Sequence, residues 1–123
     1  FSAAIGLVQL KKLDKLNNIR KKISKRYCNE INLKQKMPYD KNSVYHFYWI
    51  QVKNRNQFRK NMGNAGIETG THYKPIHTFS MYAGSTSLPI TENIGNSIVT
   101  LPTHPNLSDS NIDHIINSVN KFG

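Results

Sequence analysis

Apolar residues return along the first thirty positions with a helical beat. Leu16, Ile19, Ile23, Tyr27 and Ile31 follow one another at steps of 3, 4, 4 and 4, which sets them in one stripe of a helix. Lys and Arg fill the opposite face. With no proline before Pro38, the pattern predicts one long amphipathic helix that leads the chain and ends ahead of that proline. The opening residues, FSAAIG, lack a capping box and are small and apolar, which suits close helix packing.

The beat then changes. SVYHFYWIQV, Ser43 to Val52, is dense in β-branched and aromatic residues and predicts a strand. Its apolar residues occupy both parities, so burial on both faces is expected. NRNQFRKNMGNAG predicts a short helix with Asn54 as N-cap and Gly66 as its stop. IETGTHY reads as a second extended piece, and the Pro, Gly, Ser and Thr between Lys74 and Leu88 as an irregular loop. TENIGNSI predicts a brief helix opened by Thr91, and IVTLP a third strand. In the last segment Ser108 is the N-cap, with Ile112, Ile115, Ile116 and Val119 on one face. Strands set between helices, with too few residues for parallel crossovers, give an α+β fold. Its sheet is small, antiparallel or mixed, with about three strands packed on helices.

Composition narrows this picture. At 123 residues the chain is one domain, 1–123. An apolar share of 37% with 12 aromatics argues against disorder. The single cysteine, Cys28, excludes an internal disulfide and any multi-cysteine zinc site. No apolar run approaches bilayer length and no secretory leader is present, so a cytoplasmic setting is the expectation. The net charge is +10, and ten of the 17 basic residues lie in the first 36 positions. Eight of these fall between Lys11 and Arg26, with Asp14 as the only acid there. Such a face is a nucleic-acid stripe, a solvated surface or a contact for an acidic partner domain.

Candidate chemistry is sparse. His72 and His77 stand five apart, a spacing that matches neither a helical i, i+4 pair nor a zinc signature. Cys28 has no nearby histidine, no serine sits in a G-x-S-x-G elbow, and GNAG lacks the frame of a phosphate loop. A basic helical nucleic-acid-binding module stays open as an alternative. It would use the Lys11 to Arg26 face, with Tyr27, Tyr39, Tyr45, Tyr48 and Trp49 to stack bases.

Three stretches, in order, resemble the C-terminal domain of the DegT/DnrJ-type (StrS-like) sugar-nucleotide aminotransferases. They are SAAIGLVQLKKLDKLNNIRKKISKRY, GIETGTHYKPIH and LPITENIGNSIVTLPTHPNLSDSNIDHIINSV. The resemblance implies the small domain of the aspartate-aminotransferase (fold type I) architecture. It also implies an enzyme that uses pyridoxal phosphate (PLP), is usually a homodimer, and converts a keto-sugar nucleotide to an amino-sugar nucleotide for surface polysaccharide or glycan synthesis. Glutamate or glutamine is the usual amino donor. By the same resemblance PLP and its Schiff-base lysine belong to a large N-terminal domain outside these residues, so no lysine here is assigned that role. A start without Met, inside a helix, fits the small domain alone, inactive by itself. His72 and Tyr73 match the family's His-Tyr that faces the sugar nucleotide. His77 is expected to hydrogen-bond substrate or, more simply, to brace its own loop. His46, His104 and His114 are expected to take no functional part.

Overall fold

The computed structural model describes residues 1–82, 84 and 86–123; the parts of the expected loop at Ala83 and Ser85 lie outside the described residues. The leading helix is two helices. α1 spans Ser2–Leu10 and α2 spans Leu13–Glu30. Between them Lys11 and Lys12 keep right-handed helical dihedrals, but the Lys12 N–H bonds to the Gln9 carbonyl, a 3₁₀-type step. The break has a packing cause. α1 buries none of its residues, whereas α2 is held down by Ile23 and Tyr27, with Ile31 buried just beyond its end. α2 stops at Glu30 because Ile31 turns extended. The freed groups are met by one distant side chain: Asn120 donates to the Glu30 carbonyl at 2.9 Å and accepts from the Asn32 N–H at 2.8 Å.

Among the described residues the sheet has two antiparallel strands, where about three were expected. β1, Tyr48–Gln51, pairs with β2, Ile98–Leu101, in the register Tyr48↔Leu101 to Gln51↔Ile98. Single-residue bridges at Lys36↔Ile50 and Gly70↔Thr100 extend it on either side. The expected strand from Ser43 begins only at Tyr48, because Tyr45 sits at φ 50°, in the left-handed region. Burial is also one-sided: Tyr48, Ile50 and Val52 are buried while Trp49 and Gln51 are half-buried. IETGTHY contributes one bridge, at Gly70, and two of its other backbone groups are committed to α3. The Ile67 N–H returns to the Met62 carbonyl at 2.9 Å, and the Thr69 carbonyl accepts from the Arg59 guanidinium at 2.9 Å.

The remaining helices follow their local signals more closely. α3, Arg55–Asn64, is capped by Asn54, whose side chain accepts from the Gln57 N–H at 3.1 Å. Gly66, at φ 75°, closes it. α5, Asp109–Phe122, is capped by Ser108 and buries Ile112, Ile115, Ile116 and Val119. α4, Pro89–Ser97, opens at Pro89 instead of Thr91: proline suits the first helical position, and Glu92 satisfies the Leu88 N–H at 2.8 Å. Among the described residues no helix is long and apolar enough to cross a membrane.

Two buried tyrosines tie the core to its rim. Tyr27 and Tyr48 meet edge to face at 5.3 Å. The Tyr27 hydroxyl donates to the Pro102 carbonyl at 2.8 Å, and that of Tyr48 to the Met37 carbonyl at 2.7 Å. Burial pushes both phenols above their ordinary range, so they stay neutral donors. On the surface Arg26 holds Glu30 at 2.8 Å and Asp113 of α5 at 2.6 Å, which lowers the Glu30 carboxyl below its usual range. Replacing Tyr27 by Phe strips the Pro102 carbonyl of its donor; a loss of about 1 to 3 kcal/mol is expected. It is read as a lower urea midpoint at unchanged slope.

Candidate functional site

The bridge at Gly70 fixes everything that follows it. Gly70 and Thr100 exchange two backbone hydrogen bonds, at 3.0 and 2.9 Å. Their approach leaves no room for a side chain, since a Cβ on Gly70 would lie 2.7 Å from Thr100 Oγ1 and 2.8 Å from His72 Cε1. Two residues on, His72 places Nδ1 2.8 Å from the same Thr100 hydroxyl. Its ring stacks on Phe47 (5.3 Å, 11°) and meets Tyr73 edge-on at 4.9 Å. A hydroxyl on Nδ1 and an aromatic face below leave Nε2 as the ring nitrogen that can serve a ligand.

His72 forms part of the wall of an open groove of about 710 Å³. Arg20 of α2 lines it, with His46 before β1, His104 after β2 and His114 of α5. Those three histidines, set aside from sequence, thus share a groove with His72. The pairing Tyr48↔Leu101 explains two of them: it brings the start of β1 and the end of β2 to one end of the sheet, so His46 and His104 leave the sheet together. His114 is committed in part, its Nε2 donating to the Ala65 carbonyl at 2.9 Å. Glu68 is the one carboxylate in the lining among the described residues. Arg20 and the imidazoles therefore make the groove a place for anionic or hydroxyl-rich ligands. Among the described residues no three His, Cys, Asp or Glu side chains converge closely enough to hold a metal ion.

Neither of the other two sequence candidates, Tyr73 and His77, lines the groove. Tyr73 is exposed beside His72. His77 is absent from the groove lining and instead sets Nε2 3.1 Å from Glu92 Oε1 of α4. Base stacking by the core aromatics fails on burial: Tyr27, Tyr45 and Tyr48 are at most 1% exposed. The residues also do not form a primary PLP site. Among the described residues no lysine lines the groove, none is buried, and none takes part in an ion pair.

A model of the DegT/DnrJ/EryC1/StrS aminotransferase family matches residues 1–120. The chain belongs to this family. A GDP-perosamine synthase of Escherichia coli O157:H7 is 31% identical over 127 residues, spanning 98% of this chain and 35% of that protein. A dTDP-4-dehydro-2,3,6-trideoxy-D-glucose 4-aminotransferase of Saccharopolyspora spinosa is 30% identical, spanning 98% and 33%. Among solved structures, the aminotransferase TlmJ from Streptoalloteichus hindustanus superposes with a TM-score of 0.88 at 30% identity, over 97% of this chain and 35% of that one. A Streptococcus pneumoniae protein named as a sugar aminotransferase, solved in PLP and PMP forms, gives 0.89 and 0.88 at 28% identity. The chain thus spans about a third of the length of the curated relatives it matches. DegT-family aminotransferases depend on PLP, and the family's α+β fold is shared by this chain.

Gly70 offers a direct check on this geometry. Gly70→Ala forces its methyl into Thr100 and His72, so the chain should lose about 1 to 3 kcal/mol. The His72 ring resonances should move in the NMR spectrum. Gly63→Ala in α3 meets nothing within 4 Å and should instead gain about 1 kcal/mol from helix propensity.

Proposed function

We propose that this chain is the small domain of a PLP-dependent aminotransferase that converts a keto-sugar nucleotide to an amino-sugar nucleotide, with glutamate or glutamine as amino donor. The product would feed surface polysaccharide or glycan synthesis. The observation that carries the reading is the groove at His72: a fixed imidazole, the Arg20 guanidinium with further imidazoles, and no lysine among the described lining residues. Such a surface can bind and orient a phosphorylated sugar, and the reacting amine must come from elsewhere. A large cofactor-binding domain, and a second copy of the whole, complete the proposed enzyme.

The tasks of this chain's own residues follow from their chemistry. His72 Nε2 and the Tyr73 phenol present donors to sugar hydroxyls or phosphate oxygens without burying a fixed charge. Arg20 supplies a guanidinium, which suits phosphate, and the groove imidazoles add donors along the wall. PLP, when bound by the large domain, supplies the electron sink for amino transfer. His77, turned to Glu92, is a brace for the loop and not a direct ligand.

Two measurements test the reading. Mixed with the 123-residue chain, PLP should develop no stable visible band of a lysine-bound cofactor, and borohydride should label no single lysine. Stoichiometric labelling of one lysine would sink the proposal. In the enzyme carrying this segment, His72→Ala should raise KM for the sugar nucleotide about tenfold to a hundredfold. That is the worth of one hydrogen bond to a charged group, about 1.5 to 3 kcal/mol. The cofactor spectrum should stay unchanged.

A further inference from the structure

Between the His72–Tyr73 pair and α4 the described residues are 74–82, 84 and 86–88. This segment exposes large apolar side chains at Ile76, Phe79, Met81 and Tyr82, so little burial holds it in place. Its internal bonds are short-range: Thr78 and Phe79 close a 3₁₀ turn on Pro75 and Ile76, and Tyr82 bonds back to Phe79. Yet both ends meet at one atom. Glu92 Oε1 accepts from the Leu88 N–H at 2.8 Å and lies 3.1 Å from His77 Nε2. The His77 side chain is only 16% exposed, against 39% for Glu92. Beside them Pro75 lies flat on Gly95, where a Cβ would come within 2.5 Å of Pro75 Cγ, and Arg55 of α3 donates to the Gly95 carbonyl.

We propose that Glu92 is the positioning residue of this loop, one carboxylate oxygen clamping its two ends and thereby setting how the adjoining Tyr73 is presented. The residue acts through His77 and the Leu88 amide and need not touch substrate. The purpose assigned to the clamp rests on the reading that Tyr73 faces substrate. The clamp itself does not, and the test below uses no substrate, so the two can fail separately. Both hydrogen bonds favour the ionised form and hold the Glu92 carboxyl below its usual range, the Leu88 amide contributing most. Of the titratable and charged groups around it, His77 comes from the loop, while Arg55 and Lys74 line the same pocket, in which Glu92 is the only carboxylate among the described residues. A group with a depressed pKa stabilises its contacts above its unfolded value and loses them as pH falls through the folded one. The clamp is therefore closed near neutrality and opens in acid, below the ordinary carboxylate range.

Amide hydrogen exchange on the 123-residue chain, corrected for intrinsic rates, tests this. Protection at Thr78, Phe79, Tyr82 and Leu88 should fall with acid in the wild type while α5 amides stay protected. Glu92→Gln should abolish that acid step. Glu92→Ala should lower protection at the same four amides about tenfold or more at neutral pH, as expected for local opening without global unfolding. His77→Ala cuts one arm alone: Thr78 and Phe79 should loosen while Leu88 keeps its bond. If Glu92→Ala unfolds α5 as well, His77→Ala decides. Unchanged exchange at Thr78 and Phe79 in His77→Ala, or an acid step that survives Glu92→Gln, overturns the proposal.

Discussion

The paired hydrogen bonds between Gly70 and Thr100 are the constraint on which the site depends. The β1–β2 ladder is four residue pairs long, and among the described residues the chain between α3 and α4 pairs its backbone with the ladder at this bridge. Thr100 serves twice, its backbone gripping Gly70 and its hydroxyl gripping His72. Removing the Cβ at residue 70 is what lets the two backbones approach, so the glycine here answers to space and not to an unusual φ. A polar side chain held by a strand residue is more tightly placed than one held by its own loop, which is why His72 differs in kind from Tyr73 beside it.

Behind that bridge the helices form a brace whose parts are far apart in sequence. Tyr27 reaches from α2 to the Pro102 carbonyl just past β2. Asn120 reaches from α5 to close the end of α2, and Arg26 reaches from α2 to Asp113. Asn120 thereby satisfies the Glu30 carbonyl and the Asn32 amide at the end of α2, a task that a local glycine cap would otherwise perform in part. Strand β2 is consequently held along its length: by β1 on one edge, Gly70 on the other and Tyr27 beyond its end.

Local signals were legible and non-local ones were not. α5 with its Ser108 cap, α3 between Asn54 and Gly66, and the α2 stripe follow from residues within a turn or two of each other. The strands came out shorter than their composition implied. Strand length is decided by partners: Tyr45 took a left-handed turn to bury its ring, and Ile67 and Thr69 spent their backbone groups on α3. The site divides the same way. His72 and Tyr73 are adjacent and matched a family motif as a unit. His46 and His104 are 58 positions apart and become neighbours of one groove only through the register of β1 against β2, which no periodicity announces.

α1 remains the element that the fold does not use. Ile5, Leu7, Val8 and Leu10 are each at least half exposed, and apolar residues stand on every side of a nine-residue helix that buries nothing. An isolated helix of that length is marginal in water, and an exposed apolar surface marks a contact. The helix therefore carries sequence information that this chain's own core never reads. The turn at Lys11–Lys12 has the same origin: α2 takes its direction from the core and α1 does not. Within the proposed enzyme, a large domain covering α1 would supply the missing burial and fix its direction. The helix axis would then tie the small domain's groove to the body that holds the cofactor, through α2 and Arg20.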